Sequence, residues 1–408
     1  MSSSLGLWAA TVGIGVLYMG STMVTPLYPL YRKAFGFSEL TVTAIYAVYV
    51  VGNLAVLVFF GRLSDQIGRR AVTLAALGLT AASALCFLFA TSTAWLVPAR
   101  ILNGFAAGLG AGALTAWTAE LEPEHDRARA STIASAGNLA GLALGPVIGG
   151  LLAQFGPWPL RTSYVAYLAS LGAMILVVRA TPETVARPAR RLAAVSLRPR
   201  IGVPAGIRLR FAAAAAMAFA AFALCGFFAA LLPGVLARSL HESHPAVVGA
   251  VVGAFFGTAV VVVPITRAVG SRAAMGAALA FLLAGLGSML GAEVLRSVAL
   301  LLVGTFVGGV AMALAYRSSL QTVNEIAPEA QRAEVISSYL AACYTGNALP
   351  ILGVGALSIA LGPTTTHAVF AGLLALLGVA ACVIVYSRAG APASAENGAG
   401  APLPTRGK

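Results

Sequence analysis

Apolar residues fill twelve long stretches of the chain, and short polar segments rich in turn residues separate them. A helix needs about 20 apolar residues to cross the hydrocarbon core of a bilayer. Most of the stretches are close to that length, so the pattern predicts twelve membrane-spanning helices. The predicted spans are residues 7–26, 40–60, 71–90, 95–116, 131–155, 163–178, 211–236, 246–266, 273–291, 297–316, 336–361 and 368–386.

The second half of the sequence resembles the first. The segment PEHDRARASTIAS after the fourth span is similar to PEAQRAEVISSY after the tenth. Matching positions lie 205 residues apart: Pro123 and Pro328, Arg127 and Arg332, Gly141 and Gly346. The repeat predicts an all-α membrane protein of two pseudo-symmetric six-helix halves. Many secondary transporters are built in this way, with the substrate site near the midplane between the halves.

The boundaries between apolar and polar segments predict four regions. Residues 1–180 form an N-terminal six-helix bundle, and residues 209–388 form a C-terminal one. Residues 181–208 form a basic cytoplasmic linker, because the stretch from Arg179 to Arg210 holds eight arginines and four prolines without apolar periodicity. Residues 389–408 form a disordered cytoplasmic tail rich in Ala, Gly and Pro.

Composition supports a membrane protein. The hydrophobic fraction is 59% and the charged fraction is 10%, against roughly 45–50% and 25% in soluble domains. The mean hydropathy is +0.89. The net charge of +13 does not indicate nucleic-acid binding, because the cations are spread over short loops between apolar runs.

The distribution of Lys and Arg predicts the orientation. With both termini in the cytoplasm, the loops and tail on that side hold 20 basic residues, and the opposite loops hold five. Arg32 and Lys33 lie in the first loop on the opposite side and argue locally against the assignment. We expect a multi-pass protein of the cell inner membrane, monomeric and in contact with membrane lipids.

Several kinds of chemistry are absent from the sequence. The four cysteines lie within apolar spans without paired spacing, which predicts neither disulfides nor a metal site. The acidic run from Glu120 to Asp126 is followed at once by arginines and is interpreted as an ion-paired interface rather than a catalytic site. No Walker-type loop is present. We therefore expect no enzymatic activity and no cofactor, with the proton motive force as a candidate energy source.

The loop GRLSDQIGRR between the second and third spans concentrates charge beside the membrane. Gly61 and Gly68 permit a tight turn. Asp65 can cap a helix or face the positive end of a neighbouring helix. Arg69 and Arg70 can bind lipid headgroups or carboxylates. A loop that only sets the orientation remains an alternative.

This loop resembles the signature loop between the second and third helices of major facilitator superfamily transporters. The resemblance implies that Asp65 and the arginines latch the two halves together at the cytoplasmic face in one state and release them in another. Glu120 is a candidate to join this latch. The matching loop of the second half, from Val269 to Arg272, lacks the carboxylate, so the latch is expected to be asymmetric.

The stretch RILNGFAAG in the fourth span resembles the fourth-helix motif of the same superfamily. The resemblance implies that Arg100 acts in coupling or holds an anionic partner. Snorkelling of the side chain to the interface is the alternative. Gly104, Gly108 and Gly112 recur every four residues, which is typical of close helix packing.

The fifth span contains GNLAGLALGPVIGG. Its Gly145-Pro146 pair, preceded by glycines at every fourth position, resembles the fifth-helix motif of the twelve-helix drug–proton antiporters. Close helix packing alone would also explain the ladder. The ladder of the eighth span, Gly249, Gly253 and Gly257, is its expected packing partner.

Aromatic residues, methionine and a few uncharged polar groups are expected to line the substrate cavity, a composition that suits a largely apolar solute. Half or more of these positions pack between helices or face lipid in the alternative interpretation. The candidates are Tyr18, Thr22, Met23, Thr25, Asn103, Asn138, Phe222, Phe228, Tyr339 and Asn347.

These features predict a secondary active transporter that exports small amphipathic or drug-like molecules by alternating access, in exchange for protons. No acidic residue lies in the middle third of a predicted span, which leaves proton coupling open. The alternative is an uncoupled or differently coupled facilitator or importer of a small metabolite.

Overall fold

The computed structural model describes residues 3–61, 63–124, 126–186 and 201–387, and these residues contain no β-strand. Short 3-10 turns occur at Thr25–Leu27, Ala205–Ile207 and Glu329–Gln331, and a π-helical turn at Phe227–Leu231. The α-helices are α1 Ser3–Met23, α2 Tyr28–Phe35, α3 Glu39–Phe59, α4 Leu63–Ile67, α5 Arg69–Leu88, α6 Thr93–Leu121, α7 Arg127–Phe155, α8 Thr162–Ala180, α9 Arg208–Gly226, α10 Leu232–Ser239, α11 Pro245–Ile265, α12 Ser271–Leu295, α13 Val298–Ile326, α14 Arg332–Leu361 and α15 Pro363–Ser387.

These helices make twelve long segments. The first combines α1 and α2, the seventh combines α9 and α10, and α4 lies in the short connection before α5. Eleven segments of the described chain are long and apolar enough to cross a membrane, and the 29-residue α6 is the twelfth long segment. The predicted all-α membrane architecture is confirmed. We call the end of the bundle where α1 begins and α15 ends the proximal face, and the opposite end the distal face.

Several predicted span boundaries are wrong, and the tenth segment ends at Ile326 instead of at residue 316. The first segment does not end at Pro26, because Pro26 and Pro29 lie in the first turns of short helices. At that position a backbone N–H would have no partner within the helix, so the missing N–H of proline costs nothing. The segment continues to Phe35 and ends at Gly36, whose φ of 70° is the left-handed conformation common after a helix. The last segment begins five residues earlier than predicted, at Pro363. His367 therefore lies within this helix.

Each half has a hydrophobic core of its own. One cluster of buried residues, with Leu17, Leu114 and Leu171 among them, comes from the first six segments. Another, with Leu224, Phe255 and Leu282, comes largely from the last six. The exact domain boundaries stay a prediction. Residues 187–200 of the predicted linker, residue 388 and the whole predicted tail, residues 389–408, lie outside the described residues.

The glycine ladder of α7 packs on α1. A Cβ at Gly137, Gly141, Gly145 or Gly149 would collide with the carbonyl oxygen of Thr11, Gly15, Met19 or Met23, respectively. Both series advance by four residues, so one helix follows the other along four turns. Only the missing Cβ atoms allow the two backbones to come this close. This contact lies within the N-terminal half.

A second face of α7 contacts α11 and joins the halves. A Cβ at Gly249 would meet the carbonyl oxygen of Pro146, and a Cβ at Gly150 would meet that of Pro245. The expected partnership of α7 and α11 therefore occurs, but through Pro146 and Gly150. The residues of the ladder, Gly145 included, face α1 instead.

The C-terminal half repeats the first contact. Gly346 of α14 approaches the carbonyl oxygen of Phe219 in α9 as Gly141 approaches that of Gly15. In α6, Gly104 packs against Tyr49 and Gly108 against Val56 of α3. Gly112 has no neighbour within 4 Å of a Cβ built on it, so the predicted packing face of α6 ends at Gly108.

Candidate functional site

Arg69 is the centre of the charged loop at the proximal face. Its side chain is 9% exposed. Its guanidinium contacts Asp65 Oδ1 at 2.5 Å and Glu120 Oε1 at 2.7 Å, and Nη1 donates to Ser64 Oγ at 2.7 Å. The turn before it needs Gly68, whose φ is 107°. The structure thus brings Asp65, Arg69 and Glu120 together, and all three belong to the N-terminal half.

A carboxylate that sequence reasoning missed covers the start of α5. The backbone N–H groups of Arg69 and Arg70 donate to Glu183 Oε1 and Oε2 at 2.9 and 3.0 Å. An anion at a helix N-terminus satisfies unpaired N–H groups and complements the helix dipole. Glu183 follows α8, more than 110 residues further along the chain. The Arg70 side chain is exposed, as is Gly61.

Arg100 is buried in α6 and is 1% exposed. Its Nη1 donates to the carbonyl oxygen of Ser21 at 3.0 Å. Its guanidinium carbon lies 4.9 Å from the ring centroid of Tyr49 and 5.4 Å from that of Tyr46. This burial rules out the snorkelling alternative in this structure. Aromatic faces replace a carboxylate here, because ring quadrupoles attract a desolvated cation.

A cluster of aromatic residues lies between the halves. The hydroxyl of Tyr18 in α1 neighbours Tyr344 of α14 and the amide of Asn138 in α7. Phe222 of α9 makes edge contacts with Tyr344 at 5.9 Å and with Tyr316 at 5.7 Å. Four of these residues are only half-buried. We call Tyr18, Asn138, Phe222, Tyr316 and Tyr344 the interface cluster.

The other cavity candidates lie elsewhere. Thr22 donates to the carbonyl oxygen of Leu142, and Met23 packs beside Gly149, both within the N-terminal half. Asn103 is buried, and its Oδ1 has no hydrogen-bond partner in the described chain.

Two candidates are packed inside the C-terminal half. Phe228 stacks on Phe255 with ring centroids 4.0 Å apart. Tyr339 is buried, and its hydroxyl lies 2.8 Å from Ser319 Oγ.

Polar contacts join the halves at the distal face. Thr25 donates to the carbonyl oxygen of Ala229 at 3.0 Å, and Tyr46 donates to Asn347 Oδ1 at 2.9 Å. The Ala246 N–H donates to Gln154 Oε1 at 3.0 Å. Arg238 of α10 forms an ion pair with Glu39 at the start of α3. These contacts, together with the α7–α11 packing, hold the distal ends of the two halves against each other.

The fold and these positions agree with comparison to known proteins. A family model described as Major Facilitator Superfamily matches residues 10–266, more than half of the chain. The chain belongs to this superfamily. The predicted family is therefore confirmed, and with it a multi-pass membrane protein of a transporter superfamily rather than an enzyme.

Known relatives within the superfamily match a shorter region. The quinolone resistance protein NorA of Staphylococcus aureus is 27% identical over 141 residues, which are 35% of this chain and 36% of NorA. Multidrug resistance protein 2 of Bacillus subtilis is 29% identical over 143 residues, with the same coverage. The chain thus aligns with about a third of the length of these relatives. The resemblance to drug antiporters of the superfamily is confirmed at this level.

Solved structures support the fold over nearly the whole chain. A point mutant of the nucleoside transporter NupG gives a TM-score of 0.71 at 14% identity, covering 93% of this chain and 99% of NupG. A bacterial homologue of the human lysosomal transporter Spinster gives 0.65 at 14% identity, covering 94% of each chain. At this identity the likeness concerns the fold alone.

Proposed function

We propose that this protein is a secondary active transporter that exports small amphipathic or drug-like molecules by alternating access. The interface cluster is the observation that carries the proposal. It combines a phenyl ring, phenol hydroxyls and one amide from both halves, and it contains no charged group. Such a surface suits an apolar solute with few polar groups. When the halves move relative to each other, the geometry and the accessibility of a site formed by both of them change.

The orientation is part of the proposal. The excess of Lys and Arg in the proximal loops assigns the proximal face and both termini to the cytoplasm. The distal contacts of Glu39, Tyr46 and Thr25 then close the outer side. In this assignment the described conformation receives substrate from the cytoplasm. The names of the relatives, a quinolone resistance protein and a multidrug resistance protein, support export of drug-like compounds.

The substrate site is tested by replacing Phe222 with Ala. The matched control is Phe306→Ala, because Phe306 is 51% exposed on the lipid-facing surface of α13. Reconstituted protein is assayed for uptake of a fluoroquinolone and of a cationic dye into liposomes. We expect Phe222→Ala to lower the apparent affinity about tenfold, since an aromatic contact and its buried area contribute about 1–2 kcal/mol. Equal affinities for the two variants would contradict the assignment of the site.

Proton coupling is tested with the same liposomes. A protonophore abolishes concentrative transport if the export is driven by the proton gradient, and it leaves facilitated flux intact if the protein is an uncoupled facilitator or importer. The latch is tested by Asp65→Asn, which removes the charge beside Arg69. We expect transport to fall sharply and the folded yield to persist, because the Asp65 side chain is 55% exposed. Undiminished transport by this variant would overturn the latch.

A further inference from the structure

The C-terminal half buries an acid–histidine pair near the distal face. Glu293 lies in the last turn of α12 and His367 in the first turns of α15. His367 Nδ1 lies 2.7 Å from Glu293 Oε2, and the two side chains are 3% and 5% exposed. Thr364 Oγ1 donates to Glu293 Oε1 at 2.9 Å. Both carboxylate oxygens therefore have partners, as a buried carboxylate requires.

The second nitrogen of His367 is not satisfied. Its Nε2 is buried and has no hydrogen-bond partner among the described residues. The pair borders a cavity with room for about one water molecule. Phe227 and Phe370 form an apolar wall beside it, and the Phe227 ring lies 5.4 Å from the imidazole. An unpaired polar nitrogen at a small cavity is a position where a proton can be added without breaking an existing bond.

One charged side chain from outside the pair acts on it. Arg238 of α10 interacts electrostatically with Glu293, and the same guanidinium pairs with Glu39 across the interface of the halves. Within the described chain, the distal turns of α13 and α14 contain only uncharged residues. On α9, Cys225 interacts with Tyr46 and Cys343 instead. Arg296, which ends α12, is exposed.

A local irregularity links the pair to the N-terminal half. The π-helical turn Phe227–Leu231 places Phe227 against His367, and two residues later the carbonyl oxygen of Ala229 accepts the hydrogen bond from Thr25. Such turns often occur at functional sites. The pair is therefore connected to the interface between the halves in two ways, by the electrostatic interaction with Arg238 and by the packing of Phe227 in this turn.

We infer that Glu293 and His367 form a proton-binding site that controls closure of the distal face. One proton from the distal solution adds to the pair and raises its net charge by one, with no other bond formed or broken. Without that proton, the negative carboxylate of Glu293 competes with Glu39 for Arg238. With it, the attraction of Arg238 to the pair is reduced, and Glu39 holds the guanidinium. Acidic solution therefore favours the closed distal face, and alkaline solution favours its opening.

The inference rests on the movement of halves in the proposed function, but its test requires no substrate. Spin labels are attached at Trp158→Cys and Leu361→Cys, exposed distal positions in opposite halves, in the full chain with its four native cysteines replaced by serine. Distances between the labels are measured in lipid nanodiscs from about pH 5 to about pH 8, where histidine titrates. We expect the long-distance population to grow severalfold as the pH rises.

Variants separate this site from other titrating groups. Glu293→Gln and His367→Gln should each flatten the pH response. Glu242→Gln is the matched control, because the exposed Glu242–His244 pair at the same face has a similar N–O distance of 2.6 Å without burial, and it should keep the response. Glu39→Gln should favour the open face at every pH. An unchanged response in folded Glu293→Gln or His367→Gln protein overturns the inference, and so does its loss in Glu242→Gln.

If Glu293→Gln fails to fold, the two single variants His367→Gln and Glu39→Gln decide the question. A flattened pH response in the first and an open distal face at every pH in the second are separate predictions. Failure of drug transport alongside an intact pH response would count against the proposed substrate and not against the proton site. A pH response that is absent from the unsubstituted protein, while drug export proceeds, would count against the proton site alone.

Discussion

The two halves bury charges of opposite kinds near the distal face. The N-terminal half buries Arg100, held by a backbone carbonyl and by two tyrosine rings. The C-terminal half buries Glu293, held by His367 and Thr364. The two sites are not copies of each other, because Arg100 belongs to the fourth segment and Glu293 to the ninth. The repeat in the sequence therefore sets the helix arrangement and not the buried charges.

The difference assigns different tasks to the halves. A guanidinium keeps its proton at every pH that a protein survives, so the charge of the N-terminal half is fixed. The proton-binding site that we infer at Glu293 and His367 would instead make the charge of the C-terminal half variable. A cation that is always charged can hold the rings of Tyr46 and Tyr49 in place at every pH. A charge that changes with pH can respond to the proton gradient.

The largest expected effect comes from Arg100→Gln. The change removes a desolvated cation from between two rings, an interaction of about 2 kcal/mol, and Tyr49 lies beside Tyr18 of the interface cluster. We expect initial transport rates in liposomes to fall about thirtyfold or more. Arg100→Lys keeps the charge without the planar group and should recover part of the rate. Wild-type transport by Arg100→Gln would show that the fixed charge is dispensable.

The next effect concerns a helix contact that occurs once within each half. Gly141→Ala and Gly346→Ala each push a methyl group into a facing carbonyl oxygen, and overpacking costs about 1–3 kcal/mol. We expect both to lower the midpoint of thermal unfolding in detergent. The control is Gly353→Ala, which meets nothing within 4 Å. A loss in one half only would break the symmetry inferred from the 205-residue repeat.

The sequence predicted the helices and this repeat because both depend on local or regularly spaced patterns. An apolar run of membrane length shows its helix directly, and Gly141 and Gly346 share a motif. The Glu293–His367 pair was missed because its members lie 74 residues apart on separate segments. Glu293 lies near a helix end, yet α15 covers it, so position along a span does not measure burial. No sequence pattern indicated Glu183, which reaches α5 only through tertiary packing.

Smaller effects on stability are expected at the proximal loops, where the two halves can be compared through Arg69 and Arg272. Arg69→Ala removes a buried cation from two partly exposed carboxylates, for which we expect a loss of about 1–2 kcal/mol. In the other half, Arg272 lies 4.7 Å from the ring centroid of the exposed Tyr386, and Arg272→Ala should cost about 0.5–1 kcal/mol. Thermal unfolding in detergent gives both values. Arg70→Ala, at an exposed side chain, is the control, and similar losses in all three variants would contradict the distinction.

The smallest effect is expected at Glu242. The backbone N–H and the ring of His244 hold the pKa of this carboxyl below its usual value. A lowered pKa in the folded state contributes stability above the usual pKa of glutamate and loses it as the pH falls through the lowered value. Because the pair is exposed, Glu242→Gln should leave the unfolding midpoint nearly unchanged at neutral pH. A large shift would show that exposed and buried acid–histidine pairs contribute alike.

The close approach of α7 and α11 has a consequence for the speed of the transport cycle. Pro146, Gly150 and Gly249 bring backbone against backbone, so few long side chains interlock between these helices. When the halves turn, few rotamers at this contact have to change, and the contact adds little to the activation barrier. The barrier then depends on breaking the polar contacts at the distal face, among which the Arg238–Glu39 ion pair is the charged one. A rate of conformational exchange that varies with ionic strength more than with membrane viscosity is the expected signature.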